Sequence, residues 1–364
     1  MAVWINGGTK LKILFVLPEK AIGGSETQVS TLVDYLIEQK HFAEVFFIKT
    51  TQPSSSKRQK NIISNLRTLL KLRRLVGEKD WSLVYPFTHR SIFFVALSTI
   101  FMQKRPTLLA GVRGLSPRHE SFFYRHLFKL SISRFDALTV NAEHLLIYHC
   151  RNELLPKDRV VRLVRNSISQ EFINAAGSQV HYRDNKRFVV VSNLLPNKNL
   201  GFLIDSFANL DTDFKLEIFG DGPERLRLEE LINSNSLNDR VRLRGHVVMN
   251  PHLFARFGWG IMTSSSEGTS NAASEMMICG IPLIVPNLDW SQPIIKHVSQ
   301  TLVFQSGDPK SLMLAINQAA RMSITPDDRH CISISSMKML ERFPISSIRS
   351  VLTSLDGKTR TPIC

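Results

Sequence analysis

Apolar and polar positions follow two different periods along this chain. Short apolar runs with polar flanks, such as Lys10–Pro18 and Ala43–Lys49, are typical of strands buried inside a parallel sheet. Between these two runs, Ser25–Lys40 repeats apolar residues at helical spacing, directly after the pair Gly23-Gly24. The order of strand, glycine turn, helix and strand predicts a βαβ unit.

The same alternation continues through both halves of the chain. Further strands of the first half are predicted at 82–85, 108–112, 137–140 and 160–164. Strands of the second half are predicted at 187–192, 214–219, 241–244, 259–263 and 282–285. The polar stretch His181–Lys186 separates the halves. We therefore predict an α/β protein with two doubly wound parallel sheets, which bind ligands at the carboxyl ends of their strands.

The composition is that of an ordinary globular protein. Hydrophobic residues make up 43% and charged residues 21%, which excludes disorder for the bulk of the chain. The N-terminal residues lack a signal-peptide pattern, and the uncharged apolar stretch Ser91–Gln103 is shorter than the roughly 20 residues that cross a bilayer. We expect a cytoplasmic protein, peripheral at the inner face of the cell membrane.

The net charge of +15 is concentrated in two segments of the first half. Lys57–Arg74 contains several basic residues and no acidic one, and Lys104–Arg134 adds basic residues and a group of aromatic ones. Basic amphipathic segments beside aromatics are typical of contact with an anionic membrane surface. The alternative is a solvated helix face. No nucleic-acid-binding signature accompanies the charge, so no nucleic acid partner is expected.

The segment Glu267–Glu275 follows a predicted strand and opens a helix. The turn after Glu267 consists of Gly268, Thr269, Ser270 and Asn271. Its backbone N–H groups would lie at a helix N-terminus, where anions are favoured. Glu267 and Glu275 could accept hydrogen bonds from hydroxyls on either side of that anion. This arrangement suits a sugar–diphosphate–nucleoside, although two solvated glutamates beside an N-cap would have the same spacing.

Two further segments could contact a phosphate group. Lys198 stands just before a helix and could neutralise a diphosphate leaving group. The alternative is an ordinary surface lysine, which would show the same pattern. Gly23 and Gly24 would allow a phosphate to approach the backbone closely, although many turns contain such glycines. The full Gly-x-Gly-x-x-Gly pattern is absent after the first strand, which disfavours a dinucleotide redox site.

Taken together, these segments resemble the family-4 glycosyltransferases of the GT-B fold. Glu267–Glu275 and the following Met-Ile-Cys-Gly-Ile-Pro282 are similar to that family's Glu-Gly-x-x-Asn-x-x-x-Glu-Ala-Met-Ala-Cys-Gly-x-Pro signature. Other similar segments are 12–16, 23–26, 165–168, 218–224 and 238–245. The resemblance runs from about residue 11 to residue 355 and is most specific in the second half.

The resemblance implies two Rossmann-like domains facing each other across a cleft. Residues 1–183 would bind the acceptor, residues 184–345 would bind the nucleotide-sugar, and a C-terminal helix at 346–364 would return to the first domain. The implied reaction is a retaining transfer from a nucleotide-sugar, with UDP favoured, to a saccharide acceptor. That acceptor would be lipid-linked, as in surface polysaccharide or lipopolysaccharide biosynthesis. A non-catalytic sugar-nucleotide-binding protein and a nucleotide-sugar epimerase or hydrolase remain alternatives.

The resemblance also implies roles for individual residues. Lys198 would bind the diphosphate, Glu267 would contact the donor sugar and Glu275 would hold the ribose. His89 would lie near the donor sugar and Arg113 would line the acceptor side. The remaining expected donor contacts are Gly23, Gly24, Asn193, Gly268, Thr269, Ser270 and Asn271. No metal and no cofactor are implied.

Two positions depart from the family pattern. Ser192-Asn193 stands where the family has Gly-Arg, so one expected cation at the diphosphate is missing. Arg187 and Arg225 are the candidates to replace it. Met276 stands where alanine is common, which predicts a difference in packing.

Overall fold

Parallel strands form the centre of both halves of the chain. The computed structural model describes residues 10–18, 24–48, 58–114, 121–156, 159–176 and 183–339. Within these residues there are two six-stranded sheets, and every named strand pair is parallel. The predicted α/β class with two parallel sheets is therefore confirmed.

The first unit carries the sheet with strand order β2-β1-β3-β4-β5-β6. Its strands are β1 (Lys12–Pro18), β2 (Phe42–Ile48), β3 (Leu83–Pro86), β4 (Thr107–Val112), β5 (Ala137–Val140) and β6 (Val160–Leu163). Its helices are α1 (Gly24–Glu38), α2 (Arg58–Glu78), α3 (His89–Ser98), α4 (Phe122–Ile132) and α5 (Glu143–Arg151). The central strands are apolar on both faces because helices cover both sides of the sheet.

The second unit carries the sheet with strand order β12-β11-β10-β7-β8-β9. Its strands are β7 (Asp184–Val191), β8 (Lys215–Phe219), β9 (Val241–Gly245), β10 (Phe257–Ile261), β11 (Leu283–Pro286) and β12 (Leu302–Phe304). Its helices are α6 (Gln170–Ala175), α7 (Leu200–Ala208), α8 (Arg225–Ser234), α9 (Pro251–Phe254), α10 (Asn271–Ile278), α11 (Gln292–His297), α12 (Pro309–Arg321) and α13 (Pro326–Met339).

Both sheets contain a point where the winding direction reverses. In the first sheet β1 lies between β2 and β3, and in the second β7 lies between β8 and β10. At such a point, the connections leave the two adjacent strands towards opposite faces of the sheet. A crevice therefore opens at their carboxyl ends, and doubly wound proteins bind ligands there.

The two compact units divide between Ser167 and Ile168. The polar stretch in the sequence predicts a boundary between residues 183 and 184. Residues 168–176 pack with the second unit, because Ile168 and Phe172 are buried in its core and the Phe172 ring lies 6.1 Å from the Phe254 ring. The predicted C-terminal helix at 346–364 lies outside the described residues.

The departure at Met276 has a packing explanation. Met276 is fully buried on α10. A Cβ atom added at Gly260 of β10 would lie 2.6 Å from the Met276 sulfur and 2.6 Å from Cδ2 of Leu283. The long methionine side chain therefore occupies space that a glycine leaves empty, and the two positions are matched in volume.

We expect Gly260→Ala to lower the free energy of unfolding by about 1–3 kcal/mol, because the new methyl group overlaps the Met276 side chain. The measurement is urea unfolding followed by tryptophan fluorescence. Met276→Ala alone should also destabilise, since it leaves a cavity. The double variant should be more stable than the sum of the two losses predicts, and strict additivity would contradict the account.

Candidate functional site

The best-formed polar site lies where the winding of the second sheet reverses. The loop after β7 contains Lys198, in the 3-10 helix Pro196–Lys198, and the loop after β10 contains Glu267. Lys198 Nζ donates a hydrogen bond to Glu267 Oε1 at 2.6 Å, and the two side chains are only 17% and 13% exposed. Removing either partner would leave a partly buried charge without compensation.

Hydrogen bonds from backbone and side-chain donors to backbone carbonyls hold these two loops together. The Ser265 N–H donates to the Asn197 carbonyl at 2.9 Å, and the Thr263 hydroxyl donates to the Lys198 carbonyl at 2.7 Å. Asn199 adopts a left-handed conformation with φ of 52°, and its amide donates to the Thr263 carbonyl at 3.2 Å. The position of Lys198 is therefore set by contacts along the whole loop.

Glu267 is held from its own side as well. The Ser264 hydroxyl donates to Glu267 Oε1 at 2.7 Å, so this oxygen receives hydrogen bonds from both Ser264 and Lys198. The Trp290 indole N–H donates to the Ser264 carbonyl at 3.1 Å, and the indole is buried. Sequence reasoning did not identify Ser264 or Trp290, because neither belongs to a recognisable spacing.

The predicted anion-binding turn does lead into a helix. Ser270 is the N-cap of α10, and its hydroxyl accepts a hydrogen bond from the Ala273 N–H at 3.3 Å. Gly268, Thr269 and Asn271 are partly exposed in the same stretch. The first N–H groups of α10 therefore lie in a partly exposed stretch, at the positive end of the helix dipole.

Glu275 lies on the first turns of α10 with its carboxyl group partly buried. Among the residues that the structure describes, no side chain pairs with its carboxyl group, whereas its backbone carbonyl accepts a hydrogen bond from the Cys279 N–H. Burial raises the pKa of Glu275 to about 7. A carboxyl group in this environment gains by accepting hydroxyl hydrogen bonds, because they stabilise its charged form.

Asn193 lies in a backbone turn that glycines of the neighbouring loop make possible. A Cβ atom at Gly220, whose φ is +137°, would lie 1.9 Å from the Ser192 carbonyl oxygen, and one at Gly222 would lie 2.6 Å from that of Leu194. The Leu194 N–H donates to the Asp221 carbonyl at 3.0 Å. The Gly-Asp-Gly-Pro segment thus packs directly behind Asn193.

The two arginines considered as substitutes for the missing cation differ in their contacts. Arg187 lies in the first half of β7 and pairs with Glu217 of β8 at 3.0 Å. Arg225 pairs with Glu229 at 2.9 Å along its own helix and with Asp221 at 3.9 Å, in the loop that packs against the backbone at Asn193. Lys198 is therefore the cation whose contacts tie it to the loop around Glu267.

In the first unit, His89 begins α3 at the carboxyl end of β3. Its Nε2 hydrogen-bonds the Gly114 carbonyl at 2.9 Å, and its Nδ1 hydrogen-bonds the Tyr124 hydroxyl at 2.7 Å. Because a carbonyl oxygen can only accept a hydrogen bond, Nε2 of His89 carries a proton and donates it to the Gly114 carbonyl. The ring also stacks on Phe128 at 4.8 Å. These contacts fix the orientation of His89.

Arg113 lies at the carboxyl end of β4 inside a polar network. Its guanidinium donates to the Val164 carbonyl at 3.2 Å, to Oδ1 of Asn166 at 3.1 Å and to the Tyr85 hydroxyl at 3.0 Å. It also lies 4.4 Å from the centre of the Phe87 ring. Arg113 is thus held rigidly at the edge of its sheet where the carboxyl ends of the strands lie.

The glycine turn after β1 is only partly described. Gly24 is the first residue of α1 and is exposed, whereas Gly23 lies outside the described residues. Buried Gln28, one turn further along α1, exchanges two hydrogen bonds with the Ser167 backbone, at 2.8 and 2.6 Å. The start of α1 is therefore anchored to the end of the first unit.

No cluster of three His, Cys, Asp or Glu side chains suited to a metal ion occurs within the described ranges. The sequence does contain an Asp-x-Asp spacing at Asp211-Thr212-Asp213. These residues precede β8 at the amino end of the second sheet, and the Asp213 carboxylate pairs with Lys186. In the part of the chain that is described, no helix has the length and apolar character needed to cross a membrane.

Comparison with protein families gives a match to the second unit. Residues 173–334 match the family described as Glycosyl transferases group 1. This range contains Asn193, Lys198, Glu267 and Glu275, and it includes the pairing of β7 with β10.

Curated relatives are similar over parts of the chain. The lipopolysaccharide core biosynthesis glycosyltransferase LpsD of Rhizobium meliloti is 31% identical over 134 residues, which are 36% of this chain and 38% of LpsD. An N-acetylgalactosaminyltransferase of Campylobacter jejuni, named for a diphospho-undecaprenol-linked acceptor, is 22% identical over 289 residues, 77% of each chain. The chain spans half or less of the length of the first five curated relatives.

Solved structures resemble the whole chain. HepE of Anabaena, in complex with UDP and glucose, has a TM-score of 0.73 at 18% identity, with 95% of this chain and 100% of that chain covered. The fold is GT-B. The predicted fold class is therefore confirmed, and the site at β7 and β10 lies in the unit that matches the glycosyl transferases.

The raised pKa of Glu275 predicts a pH dependence of stability. Its folded-state pKa of about 7 lies above the usual value of 4.5, so folding favours the protonated form. The free energy of unfolding should therefore fall as pH rises from about 4.5 through 7, by roughly 3 kcal/mol relative to Glu275→Gln.

Urea unfolding of both proteins between pH 4.5 and pH 8 measures this difference. The variant lacks the titrating group, so it controls for every other ionisation. A constant difference between the two proteins across this range would contradict the burial of Glu275.

Proposed function

We propose that this protein is a retaining glycosyltransferase that uses a nucleotide-sugar donor, with a UDP-sugar favoured. The observation that carries the proposal is the contact between Lys198 and Glu267 at the start of the segment that enters α10. The proposal is supported by the match of residues 173–334 to glycosyl transferases, and the preference for UDP by the ligands of HepE.

The arrangement suits an elongated anionic ligand. Lys198 and the N-terminus of α10 would neutralise the diphosphate, Glu267 would accept hydrogen bonds from the sugar and Glu275 would accept them from the ribose. Asn193, Gly268, Thr269, Ser270 and Asn271 would complete the donor contacts. From the first unit, Gly23 and Gly24 would contact the phosphates, His89 the donor sugar and Arg113 the acceptor.

In the proposed step, the acceptor hydroxyl oxygen forms a bond to the anomeric carbon as the bond from that carbon to the diphosphate oxygen breaks. The hydroxyl proton passes to the departing diphosphate. The acceptor oxygen attacks from the same face of the sugar that the diphosphate leaves. No protein nucleophile is required. Lys198 stabilises the negative charge that develops on the leaving group, which is its main contribution to the rate.

Substitution of Lys198 tests this assignment. We expect Lys198→Gln to lower kcat/KM about 100-fold or more, because a positioned charge on the leaving group is lost. Lys296→Gln, which removes an exposed lysine at the end of α11, is the matched control and should stay within about twofold of the wild type. Equal activity of all three proteins would refute the role of Lys198.

The donor is identified first by thermal shift with UDP-, GDP-, ADP- and dTDP-sugars. Product analysis then separates the alternatives. A hydrolase releases free sugar without acceptor, an epimerase changes the sugar and keeps the nucleotide, and a non-catalytic binder gives no product. Inversion at the anomeric carbon in the transfer product would exclude the retaining mechanism.

We also propose that the acceptor is a lipid-linked saccharide, reached by peripheral attachment to an anionic membrane at the inner face of the cell membrane. Ile62, Leu66 and Leu70 repeat every four residues along α2 and are 55–64% exposed. Arg67 and Lys71 are exposed on the neighbouring stripe of the same helix. An exposed apolar stripe beside a basic one fits the boundary between acyl chains and anionic headgroups.

A second element of the same unit has a similar character. On α4, Phe122 and Phe123 are each 76% exposed and Leu130 is 71% exposed. The relative from Campylobacter jejuni, whose name includes a diphospho-undecaprenol-linked acceptor, supports a lipid-linked substrate. The corresponding pathway would be surface polysaccharide or lipopolysaccharide biosynthesis, as in the name of LpsD.

Vesicle flotation tests the membrane contact. Arg67→Gln with Lys71→Gln should weaken binding to vesicles containing phosphatidylglycerol roughly thirtyfold, since each basic residue near such a surface contributes about 1 kcal/mol. Leu66→Ser with Leu70→Ser should also weaken binding. Leu226→Ser removes a leucine that is 73% exposed, more than either of these, from α8 of the second unit and serves as control. Unchanged flotation of the α2 variants would exclude this surface.

A further inference from the structure

Four arginines surround one glutamate on a single face of the second sheet, near its β9 edge. Glu217 of β8 is the register partner of Val189 on β7 and of Arg242 on β9. Because side chains two residues apart share a face, Arg187 and Arg244 lie on the same side. Arg256 precedes β10 and reaches the same carboxylate. We call Arg187, Arg242, Arg244 and Arg256 the arginine cluster.

Three of these guanidinium groups converge on one buried carboxylate. The Glu217 side chain is 6% exposed. Its Oε1 lies 3.0 Å from Arg187 Nη2, and its Oε2 lies 2.5 Å from Arg244 Nε and 2.9 Å from Arg256 Nη2. Burial raises the pKa of Glu217, but hydrogen bonds from Arg244 and Arg187 and the charge of Arg256 outweigh burial, so the pKa is lowered. Glu217 is therefore charged at neutral pH.

One carboxylate does not balance this cluster. Arg242 is exposed and has no hydrogen bond or ion pair with another residue in the described ranges, so four positive charges face a single negative one. The side chains of Arg187, Arg244 and Arg256 remain 35–42% exposed. A guanidinium has five N–H groups, and each of these three uses one on Glu217, so donors remain for a ligand from solvent.

Aromatic rings hold part of the cluster in place. The Arg256 guanidinium lies 5.0 Å from the centre of the Phe257 ring, and Arg187 lies 6.0 Å from the same ring. Stacking on an aromatic face and a shared carboxylate both restrict the rotamers of these arginines. Ordered guanidinium groups lose little entropy when they bind an anion, so the site is already organised for one.

We propose that the arginine cluster binds a phosphoryl dianion at a site separate from the proposed donor site. Planar guanidinium groups match the oxygens of a phosphate in paired hydrogen bonds, and a dianion offsets most of the excess charge. Arg187 lies in the first half of β7 and Arg256 precedes β10, whereas Lys198 and Glu267 follow the carboxyl ends of these strands. The ligand is a soluble phosphate ester or the phosphate of a lipid headgroup.

Calorimetric titration with pyrophosphate tests the site. The full chain carrying Lys198→Gln is the reference, because that substitution weakens binding through the proposed donor site. Adding Arg242→Gln and Arg256→Gln should weaken pyrophosphate binding about tenfold or more, through lost charge-assisted hydrogen bonds. Arg242 is exposed, and loss of Arg256 leaves Arg187 and Arg244 paired with Glu217. The fold of the double variant should therefore persist, and circular dichroism checks this.

Lys310→Gln with Arg321→Gln is the charge-matched control in the same reference, because it also removes two positive charges. Both residues are exposed on α12, whose buried residues pack on the other face of the second sheet, and their substitution should change the affinity less than twofold. Equal weakening by the control and the cluster variants would overturn the proposal, because it would indicate non-specific attraction to net positive charge.

Vesicles containing phosphatidic acid, compared with phosphatidylcholine alone, distinguish the two sources of phosphate. Weaker flotation of the cluster variants without any pyrophosphate binding would assign the site to a lipid headgroup. Pyrophosphate binding that depends on Arg242 and Arg256 would assign it to a soluble ester. If the cluster variants change neither vesicle flotation nor pyrophosphate binding, the proposal is overturned. These results do not depend on glycosyl transfer, so loss of the proposed function leaves this test intact.

Discussion

The parallel pairing of β7 with β10 is the constraint on which the site depends. It brings the carboxyl ends of two strands side by side, although their loops are far apart in sequence. Lys198 and Glu267 then meet within 2.6 Å, with little exposure to solvent. A charge pair in this setting is oriented before a ligand arrives, because the backbone bonds between the loops leave it few alternatives. The proposed chemistry needs that fixed orientation.

Glycines of the second unit allow close packing around this site in two places. Gly220 and Gly222 let one loop pass directly behind the backbone at Asn193. Gly260 makes room for Met276, so that α10 can pack on β10. At the other end of α10, the side chains of Arg183 and Arg329 donate to the Cys279 and Gly280 carbonyls. The helix that presents the candidate anion site is therefore held at both ends.

The basic residues of the chain fall into two groups that differ in their contacts. Some arginines are structural, as where Arg113 ties three strands of the first sheet together. Others remain in excess over their carboxylate partners, as around Glu217, or lie exposed along α2. The first group supports the fold and the second group attracts anions. The net charge alone does not separate these uses, because the difference depends on whether the arginines at one place outnumber the carboxylates that pair with them.

The sequence by itself determined the α/β class, most strand positions and the entry of the segment after Glu267 into a helix. Apolar runs such as 13–17 and the turn at Gly268–Asn271 that leads into a helix express local rules, so a linear pattern suffices to predict them. The pattern did not predict β12, which has only three residues, or α13, which lacks a clear apolar stripe. The family motifs also pointed to Lys198 and Glu267 as separate candidates.

Only the tertiary structure decided which of these residues meet. The ion pair of Lys198 with Glu267, the fixed His89 ring and the engagement of Arg187 by Glu217 all depend on contacts between strands distant in sequence. The tertiary structure also places residues 168–176 with the second unit, because Phe172 is buried there. Such contacts depend on strand order, and strand order follows from packing of the whole sheet rather than from any local pattern.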